Sequence, residues 1–450
     1  MIEVVFSSLE FIFIFLPIFF LLYATAPGRW KNVIIVFGSF VFYSYGSWEN
    51  PEYISFFILS VLLNFSIGKC LGHGKIKDKI LFAIGLIFNI GPLVWFKLHM
   101  DLIMLPIGIS FFTFQNLSYI IDVKRKTVKR EDSLLDYAAY ISMFPQLIAG
   151  PIVTYRQVSA RLKKRYVTVA GIRRGISQFI IGLGYKVLIA NRIGNLWHNI
   201  ESIGFESIST PLAWMGIVAY ALQIYFDFYG YSLMALGLGA MMGFRFPRNF
   251  EHPYRSVTMA EFYRKWHMSL GNWFREYVYI PLGGNRKGTM RTIFNLSFVW
   301  LLTGLWHGMN WNFLVWGLGI CLLIILEKFV WRKFLETHRI LGHIYVIAVI
   351  PMMWFVFAVT DWSDFTTYLS RLFPMNGNYL GVFEYDYIKY LTMYGGYFVA
   401  GILLCTPLPE KIWKKCKNNF LGILILLLIF VAAVYCMYMG LNDPFLYFRF

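Results

Sequence analysis

Residues 301–308 read Leu-Leu-Thr-Gly-Leu-Trp-His-Gly, which places a glycine-flanked histidine inside a run that otherwise has the composition of a membrane core. A titratable ring within a bilayer is costly unless it lines a cavity or finds a partner. Imidazole is also the side chain best suited to proton transfer near neutral pH. His307 is therefore either a satisfied core or helix-packing histidine or a group that performs chemistry inside the membrane. The close backbone approach that its flanking glycines permit fits either interpretation.

The composition indicates an integral membrane protein. The 450 residues are 58% hydrophobic and 20% aromatic, with a mean hydropathy of +0.57, whereas soluble domains are roughly 45–50% apolar. Apolar stretches of about 16–22 residues without strict alternation favour helices over a β-barrel. We therefore predict an all-α, polytopic protein, because backbone in lipid must satisfy its own hydrogen bonds.

The charge and the cysteines exclude other classes. The net charge is +17, but the basic residues lie in short loops between apolar runs, so an anionic membrane face explains them better than nucleic acid does. Five cysteines form no CxxC pair, which predicts neither a disulfide framework nor a metal site. The first apolar run lacks a basic leader and is predicted to be a retained span, not a signal peptide.

Alternation of apolar runs and charged loops predicts about ten spanning helices in a single domain, residues 1–450. They lie near residues 6–25, 32–47, 53–71, 79–96, 105–122, 174–192, 211–243, 341–359, 388–404 and 419–440. Basic loops alternate with neutral or acidic ones, so the positive-inside rule predicts cytoplasmic basic loops and both chain ends outside.

Three stretches depart from that simple pattern. Residues 134–153 and 292–327 are apolar but are flanked by basic residues at both ends, which predicts two re-entrant elements, the second with two short arms and His307 at its tip. Residues 211–243 are too long for one straight helix, and Asp227 sits midway. A carboxylate at membrane depth costs about 2.5–3.5 kcal/mol, so Asp227 should be paired. It either supports a backbone break at Gly230, or orients a histidine or binds substrate.

A second histidine, His267, lies in residues 258–275, which are predicted to form one amphipathic helix. Thr258 and Glu261 have capping-box spacing. The apolar face of this helix consists of Phe262, Trp266, Leu270 and Trp273. Its positive charges are those of Arg264, Lys265 and Arg275. The helix either lies on anionic lipid or covers a cavity in which His267 and the cations face a phosphate-bearing substrate. The turn at 281–286, with Asn285, is a weak anion-site signal.

Motifs of covalent and metal catalysis are missing from the sequence. It contains no GxSxG, GxxxxGK[ST] or HExxH pattern. A direct transfer assisted by a general base therefore fits better than a covalent nucleophile.

Several stretches together resemble the membrane-bound O-acyltransferase (MBOAT) family, and within it the alginate O-acetyltransferase branch. They are residues 5–11, 106–114 and 144–152, the pairs Asn249-Phe250 and Pro253-Tyr254, the two histidine motifs, and residues 444–450. The resemblance implies helices around a central funnel or tunnel, through which an acyl group passes from a cytoplasmic donor to an acceptor hydroxyl. It makes His307 the general base and His267 a second active-site group.

The resemblance also implies the surroundings of the reaction. The donor would be acetyl-CoA, a co-substrate, with no tightly bound cofactor and no metal. The acceptor would be an exported or cell-wall polysaccharide, reached through an extracytoplasmic SGNH-like partner, and the location a bacterial inner membrane. The supporting or substrate-binding residues would be Trp306, Asp227, Tyr229, Arg264, Trp266, Gln146 and Asn285.

Three positions depart from the family pattern, and two alternatives stay open. Leu233 stands where the family has Asp, Tyr229 where it has Ser, and Ala358 where it often has Arg. They leave the reaction class intact but bear on the acceptor and the partner.

One alternative is a teichoic acid D-alanyl transferase that uses a carrier-protein donor. The other is a proton-coupled transporter with Asp227 and His307 as relay, although no internal repeat supports it.

Overall fold

The computed structural model describes residues 6–72, 74–100, 103–148, 150–374 and 382–440. Every regular element in these ranges is helical, which confirms the all-α prediction. The chain divides into two compact units. The first comprises Met1–Gly182, Tyr231–Arg248 and Asn272–Val278, and the second comprises Leu183–Gly230, Asn249–Gly271 and Tyr279–Phe450. Both chain ends and the 444–450 motif lie outside the described residues.

Twenty-one α-helices follow one another within these described ranges. The first ten are α1 (Leu16–Thr25), α2 (Lys31–Gly46), α3 (Glu52–Cys70), α4 (Lys75–Leu98), α5 (Ile109–Lys124), α6 (Leu134–Ser142), α7 (Phe144–Leu147), α8 (Tyr155–Lys163), α9 (Val169–Gly184) and α10 (Asn191–Ile203). The others are α11 (Thr210–Met241), α12 (Met259–Lys265), α13 (Met268–Phe274), α14 (Thr289–His307), α15 (Trp311–Leu326), α16 (Arg332–Thr337), α17 (Arg339–Ala358), α18 (Trp362–Leu372), α19 (Asp386–Leu404), α20 (Leu408–Cys416) and α21 (Phe420–Tyr438). Single π-helical turns at Phe11–Phe15, Tyr185–Ala190, Arg275–Tyr279 and Glu327–Trp331 join or extend them.

Five helical runs among the described residues are long and apolar enough to cross a membrane. They are Glu52–Cys70, Ile76–Leu98, Trp311–Thr337, Arg339–Ala358 and Phe420–Tyr438. Helices α19 and α20 meet at 75° and form a sixth candidate, as a broken span or a re-entrant loop. All six coincide with predicted apolar runs, and the total of ten and the orientation of the ends stay predictions.

Buried polar groups explain why α5 is less apolar than a lipid-facing span. Nearly all of α5 is buried within the first unit. The hydroxyl of Tyr137 donates to Asn116 Oδ1 at 2.7 Å, and the hydroxyl of Tyr277 donates to the Asp122 carboxylate at 3.0 Å. A helix enclosed by protein can carry such groups because neighbouring helices satisfy them.

The structure corrects two predictions about the long apolar runs. Helix α11 runs unbroken through Gly230, so the predicted break there is wrong. Its 32 residues give a length of about 48 Å at 1.5 Å per residue. The second arm of the 292–327 element is also not short, because α15 continues through the π-turn and α16 into a 27-residue run.

The other irregular stretch behaves more nearly as predicted. Residues 134–148 contain the short helices α6 and α7, which are separated at Met143, and Pro145 occupies the first turn of α7. Neither helix is long enough to span a bilayer. Whether this stretch enters the membrane stays a prediction.

Candidate active site

His307 is the last residue of α14, and aromatic rings surround it. Its ring centroid lies 4.6 Å from that of Trp306, 5.1 Å from that of Trp316 and 5.0 Å from that of Phe357. The Trp316 and Phe357 rings both stand edge-on, at interplanar angles of 85°. The residue remains partly exposed. A polarisable apolar wall with one accessible side is a suitable setting for a proton acceptor.

Glycines allow α14 and α15 to cross closely enough to form this wall. A Cβ added at Gly304 would lie 2.6 Å from the Phe313 carbonyl oxygen, and one at Gly317 would lie 2.7 Å from that of Trp300. A Cβ at Gly308 would meet the Phe313 ring at 2.5 Å. No real side chain tolerates such contacts without a shift of the backbone. The expectation that the glycines serve close approach is therefore confirmed.

His267 occupies a sharp turn, so the prediction of one helix over 258–275 is wrong. Helix α12 ends at Lys265 and α13 begins at Met268, with His267 at φ +44° between them. The Met268 amide donates to the Asn249 carbonyl at 2.9 Å, and the Glu251 amide donates to the Lys265 carbonyl at 3.1 Å. These bonds come from residues far back in the sequence and hold the left-handed conformation, which histidine tolerates better than most residues do.

The predicted start of α12 is confirmed, with one difference. The Thr258 hydroxyl accepts a hydrogen bond from the Glu261 amide at 3.0 Å. The Glu261 carboxylate accepts one from the amide of Val257 at 2.9 Å, one residue before the cap. This end of α12 is thus fixed by local hydrogen bonds, as capping-box spacing predicts.

Both histidine rings lie near one indole, that of Trp306. His267 is only 4% exposed, and its ring lies 6.2 Å from that of Trp306, which in turn lies 4.6 Å from that of His307. The Phe228 ring stands edge-on to His267 at 4.6 Å. His267 is outside the candidate spans, and burial lowers its pKa to about 3. It is therefore a neutral imidazole at physiological pH, suited to hydrogen bonding but not to carrying charge.

Asp227 is paired, but with a residue that sequence reasoning missed. Its Oδ1 lies 2.8 Å from Lys186 Nζ, and the two side chains are 3% and 0% exposed. Lys186 is the second residue of the π-helical turn Tyr185–Ala190. Such turns are frequent at functional sites. The role of supporting a backbone break at Gly230 is wrong. Because Phe228 follows Asp227 and contacts His267, the ion pair fixes the part of α11 that packs on this histidine.

Two of the predicted supporting residues lie in the same aromatic cluster. Trp266 is buried, with ring centroids 4.9 Å from Trp354 and 5.1 Å from Phe250. Tyr229 lies 5.4 Å from the same Phe250 ring and 5.4 Å from Tyr185. Both residues thus belong to the cluster of aromatic rings around Phe250.

The remaining three predicted residues occupy different places. Arg264 is exposed on α12 and Asn285 is exposed in the turn before α14. Gln146 belongs to the first unit, where it is fully buried and its Nε2 donates to the Tyr140 carbonyl. In the structure Gln146 therefore has a clear packing role on α7.

Glu327 is a second buried charge that sequence reasoning missed. It is 1% exposed, and its carboxylate accepts hydrogen bonds from the amides of Met259 and, at 3.0 Å, Ala260. It ties α15 to the start of α12, the helix that precedes His267. The sequence signal that could have identified Glu327 is a single glutamate at the end of an apolar run.

In the part of the chain that the structure describes, no three His, Cys, Asp or Glu side chains lie close enough to hold a metal ion. The five cysteines are free thiols. The groups that the structure brings together at the site are two imidazoles, the Trp306 indole near both of them, and the buried Lys186–Asp227 ion pair.

Comparison with known proteins places this geometry in context. The sequence profile of the MBOAT, membrane-bound O-acyltransferase family, matches residues 80–370. The "Probable alginate O-acetylase AlgI" of Pseudomonas fluorescens is 40% identical over 334 residues, 72% of this chain and 66% of that protein. The "Peptidoglycan O-acetyltransferase" of Helicobacter pylori is 31% identical over 429 residues, 83% of this chain and 80% of that protein.

A more distant match extends the comparison to a third substrate. The "Teichoic acid D-alanyltransferase" of Bacillus subtilis is 30% identical over 244 residues, 50% of this chain and 60% of that protein. The chain spans just under two thirds of the alginate relative from Pseudomonas fluorescens. The family profile covers more than half of the chain, including both histidines and the glycine crossing that holds His307. The chain belongs to the membrane-bound O-acyltransferase family.

Proposed function

We propose that this chain is an O-acetyltransferase that moves an acetyl group from a cytoplasmic thioester donor towards an exported or cell-wall polysaccharide. The observation that carries the proposal is the partly exposed His307, held at the α14–α15 crossing, with the Trp306 ring near both it and His267. The relatives that cover most of the chain are named for O-acetylation of alginate and of peptidoglycan. A bacterial inner membrane is the setting that these bacterial relatives support.

The proposed reaction needs one proton acceptor and one leaving group. His307 takes the proton from the acceptor hydroxyl while that oxygen attacks the thioester carbonyl. The carbon–sulfur bond breaks, and the departing sulfur receives the proton from the His307 imidazolium. The new ester and the free thiol balance the reaction without a covalent enzyme intermediate.

His267 has a different part in this proposal. Its depressed pKa keeps it neutral, so it can donate or accept a hydrogen bond to donor or acceptor but does not supply the base. Trp306 and Phe228 hold its ring on two sides.

We propose acetyl-CoA as the donor and an extracytoplasmic SGNH-like protein as a carrier of the acetyl group to the polymer. The basic loops support a phosphate-bearing donor on the cytoplasmic side. Leu233, Tyr229 and Ala358, which depart from the family pattern, are the positions where acceptor or partner specificity would differ from that of the relatives.

The test is transfer from labelled acetyl-CoA by the purified chain in detergent. His307→Ala should lower label release or transfer by roughly 100-fold or more, the usual contribution of a general base. His338→Ala is the matched control, since His338 is exposed between α16 and α17. Equal rates for wild type and a folded His307→Ala protein would refute the proposed role.

D-alanyl transfer to teichoic acid is the second candidate, favoured by the match to the Bacillus subtilis protein. It predicts activity with a carrier-protein thioester and none with acetyl-CoA. A transporter would use Asp227 as part of a relay with His307, yet in the structure Asp227 is paired with Lys186 at 2.8 Å. Offering both donors to the same preparation separates the two transferase candidates.

A further inference from the structure

A basic cavity lies between α12 and the helical run Trp311–Thr337, within the second unit. Its volume is about 180 Å³, and its lining includes Thr258, Arg264, Ile324, Glu327, Lys328 and Arg332. That is more than ten times the roughly 15 Å³ that one water molecule needs. The cavity can therefore hold a polyatomic group.

Its charge favours an anion. Three cations, Arg264, Lys328 and Arg332, share the cavity with one carboxylate. The Glu327 carboxylate is turned to the backbone amides of Met259 and Ala260, so it stabilises the start of α12. Arg332 also pairs with Glu336 at 2.8 Å, but both side chains are about half exposed, and such surface pairs are weak.

Its position fits a ligand with both a charge and apolar chains. The cavity sits where the apolar residues 311–326 give way to charged residues, within the last third of the candidate run Trp311–Thr337. Phe329, Val330 and Phe334 are 44%, 69% and 51% exposed beside it. Large exposed apolar side chains next to basic ones are typical of a membrane interface, where chains lie in lipid and charges meet phosphates.

We propose that this cavity binds the phosphate headgroup of an anionic phospholipid, with Arg264, Lys328 and Arg332 around the phosphate and the acyl chains along the exposed apolar side chains. The proposal does not depend on acyl transfer. The same phosphate chemistry could come from a soluble phosphate ester, and the experiment separates the two sources.

The experiment measures binding of short-chain phosphatidylglycerol to the full chain in neutral detergent, by thermal shift of the intrinsic tryptophan fluorescence. Phosphatidylcholine of the same chain length, inorganic phosphate and coenzyme A are the parallel ligands. The test variant is Arg264→Gln with Arg332→Gln. The matched control is Lys333→Gln with Arg339→Gln, which removes two exposed cations from the same region that do not line the cavity.

Phosphatidylglycerol should bind the test variant on the order of tenfold more weakly than wild type, and the control variant about as well as wild type. Lys328→Gln is a single-charge variant that should show a smaller loss if the double variant does not fold. Equal losses in both double variants, or equal binding of phosphatidylcholine, would overturn the site. Protection by inorganic phosphate or coenzyme A but not by phosphatidylglycerol would overturn the lipid assignment.

Discussion

Replacing Lys186 by methionine should destabilise the protein far more than its position in an apolar helix suggests. The Lys186–Asp227 pair is separated by 2.8 Å, with the side chains 0% and 3% exposed. Two unit charges at that distance attract by about 6 kcal/mol at an effective dielectric constant near 20. Each charge also loses several kcal/mol of hydration on burial, so the intact pair contributes little net stability.

The single substitution removes the attraction but leaves the Asp227 carboxylate buried. We expect a loss of about 3–5 kcal/mol, the usual result of breaking a buried pair. The double variant Lys186→Met with Asp227→Leu removes both charges and should recover most of that loss. Lys414→Met is the control, because Lys414 forms an exposed pair with Glu410 and should change stability by about 1 kcal/mol at most.

Thermal unfolding in detergent provides the assay. The single variant should melt roughly 3–5 °C below wild type, and the double variant close to wild type. A single variant as stable as wild type would show that water or another partner reaches the carboxylate. A double variant no better than the single one would show that the pair fixes α11 through its geometry, and the argument from uncompensated charge would be refuted.

Two further predictions concern the helix crossing beside His307 and the burial of His267. Gly304→Ala should cost about 1–3 kcal/mol of stability because the added Cβ meets the Phe313 carbonyl at 2.6 Å. Gly396→Ala has no atom within 4 Å of the new Cβ and should melt at or above the wild-type temperature; similar losses in both would contradict the crossing argument. Burial holds the pKa of His267 in the folded protein at about 3, below its ordinary value of 6.5. As the pH falls, the His267 imidazole therefore takes up a proton in the unfolded state before it does so in the folded state. Stability should decrease as the pH decreases from about 6.5 towards 3. His267→Gln should make that dependence shallower by about one proton, and an unchanged slope would mean that His267 is not held neutral by burial.

The histidine at the helix junction could be predicted because its signal is local. An apolar run interrupted by Trp306, His307 and Gly308 leaves few ways to continue a helix, and α14 does end at His307. The cap at Thr258 is likewise local, and it was predicted correctly. Both depend on residues within about four positions of each other, where helical geometry alone decides the outcome.

The turn at His267 could not be predicted in the same way. Residues 258–275 have the periodicity of one helix, and the break depends on hydrogen bonds with Asn249 and Glu251. The same limit applies to the partner of Asp227, since Lys186 lies 41 residues away on a different helix. Conversely, Gly230 has little helix propensity, yet packing along α11 keeps the helix intact.

The number of spans is hard to predict for a related reason. Hydropathy measures contact with lipid, whereas helices enclosed by other helices can carry buried amides and carboxylates. Helix α5, with Gln115, Asn116 and Asp122 all buried, shows this directly. Residue composition alone therefore does not separate a spanning helix from one that other helices enclose.

The crossing of Gly304 with Gly317 also restricts how this sequence can diverge. A larger residue at either position can be accommodated only if the opposite helix withdraws, and α14 would then carry His307 away from Phe357 and Trp316. Neither glycine has a side chain, yet each sets the place of the His307 ring through the backbone. Substitution at these two glycines is therefore restricted by the packing of α14 against α15, whatever reaction the site performs.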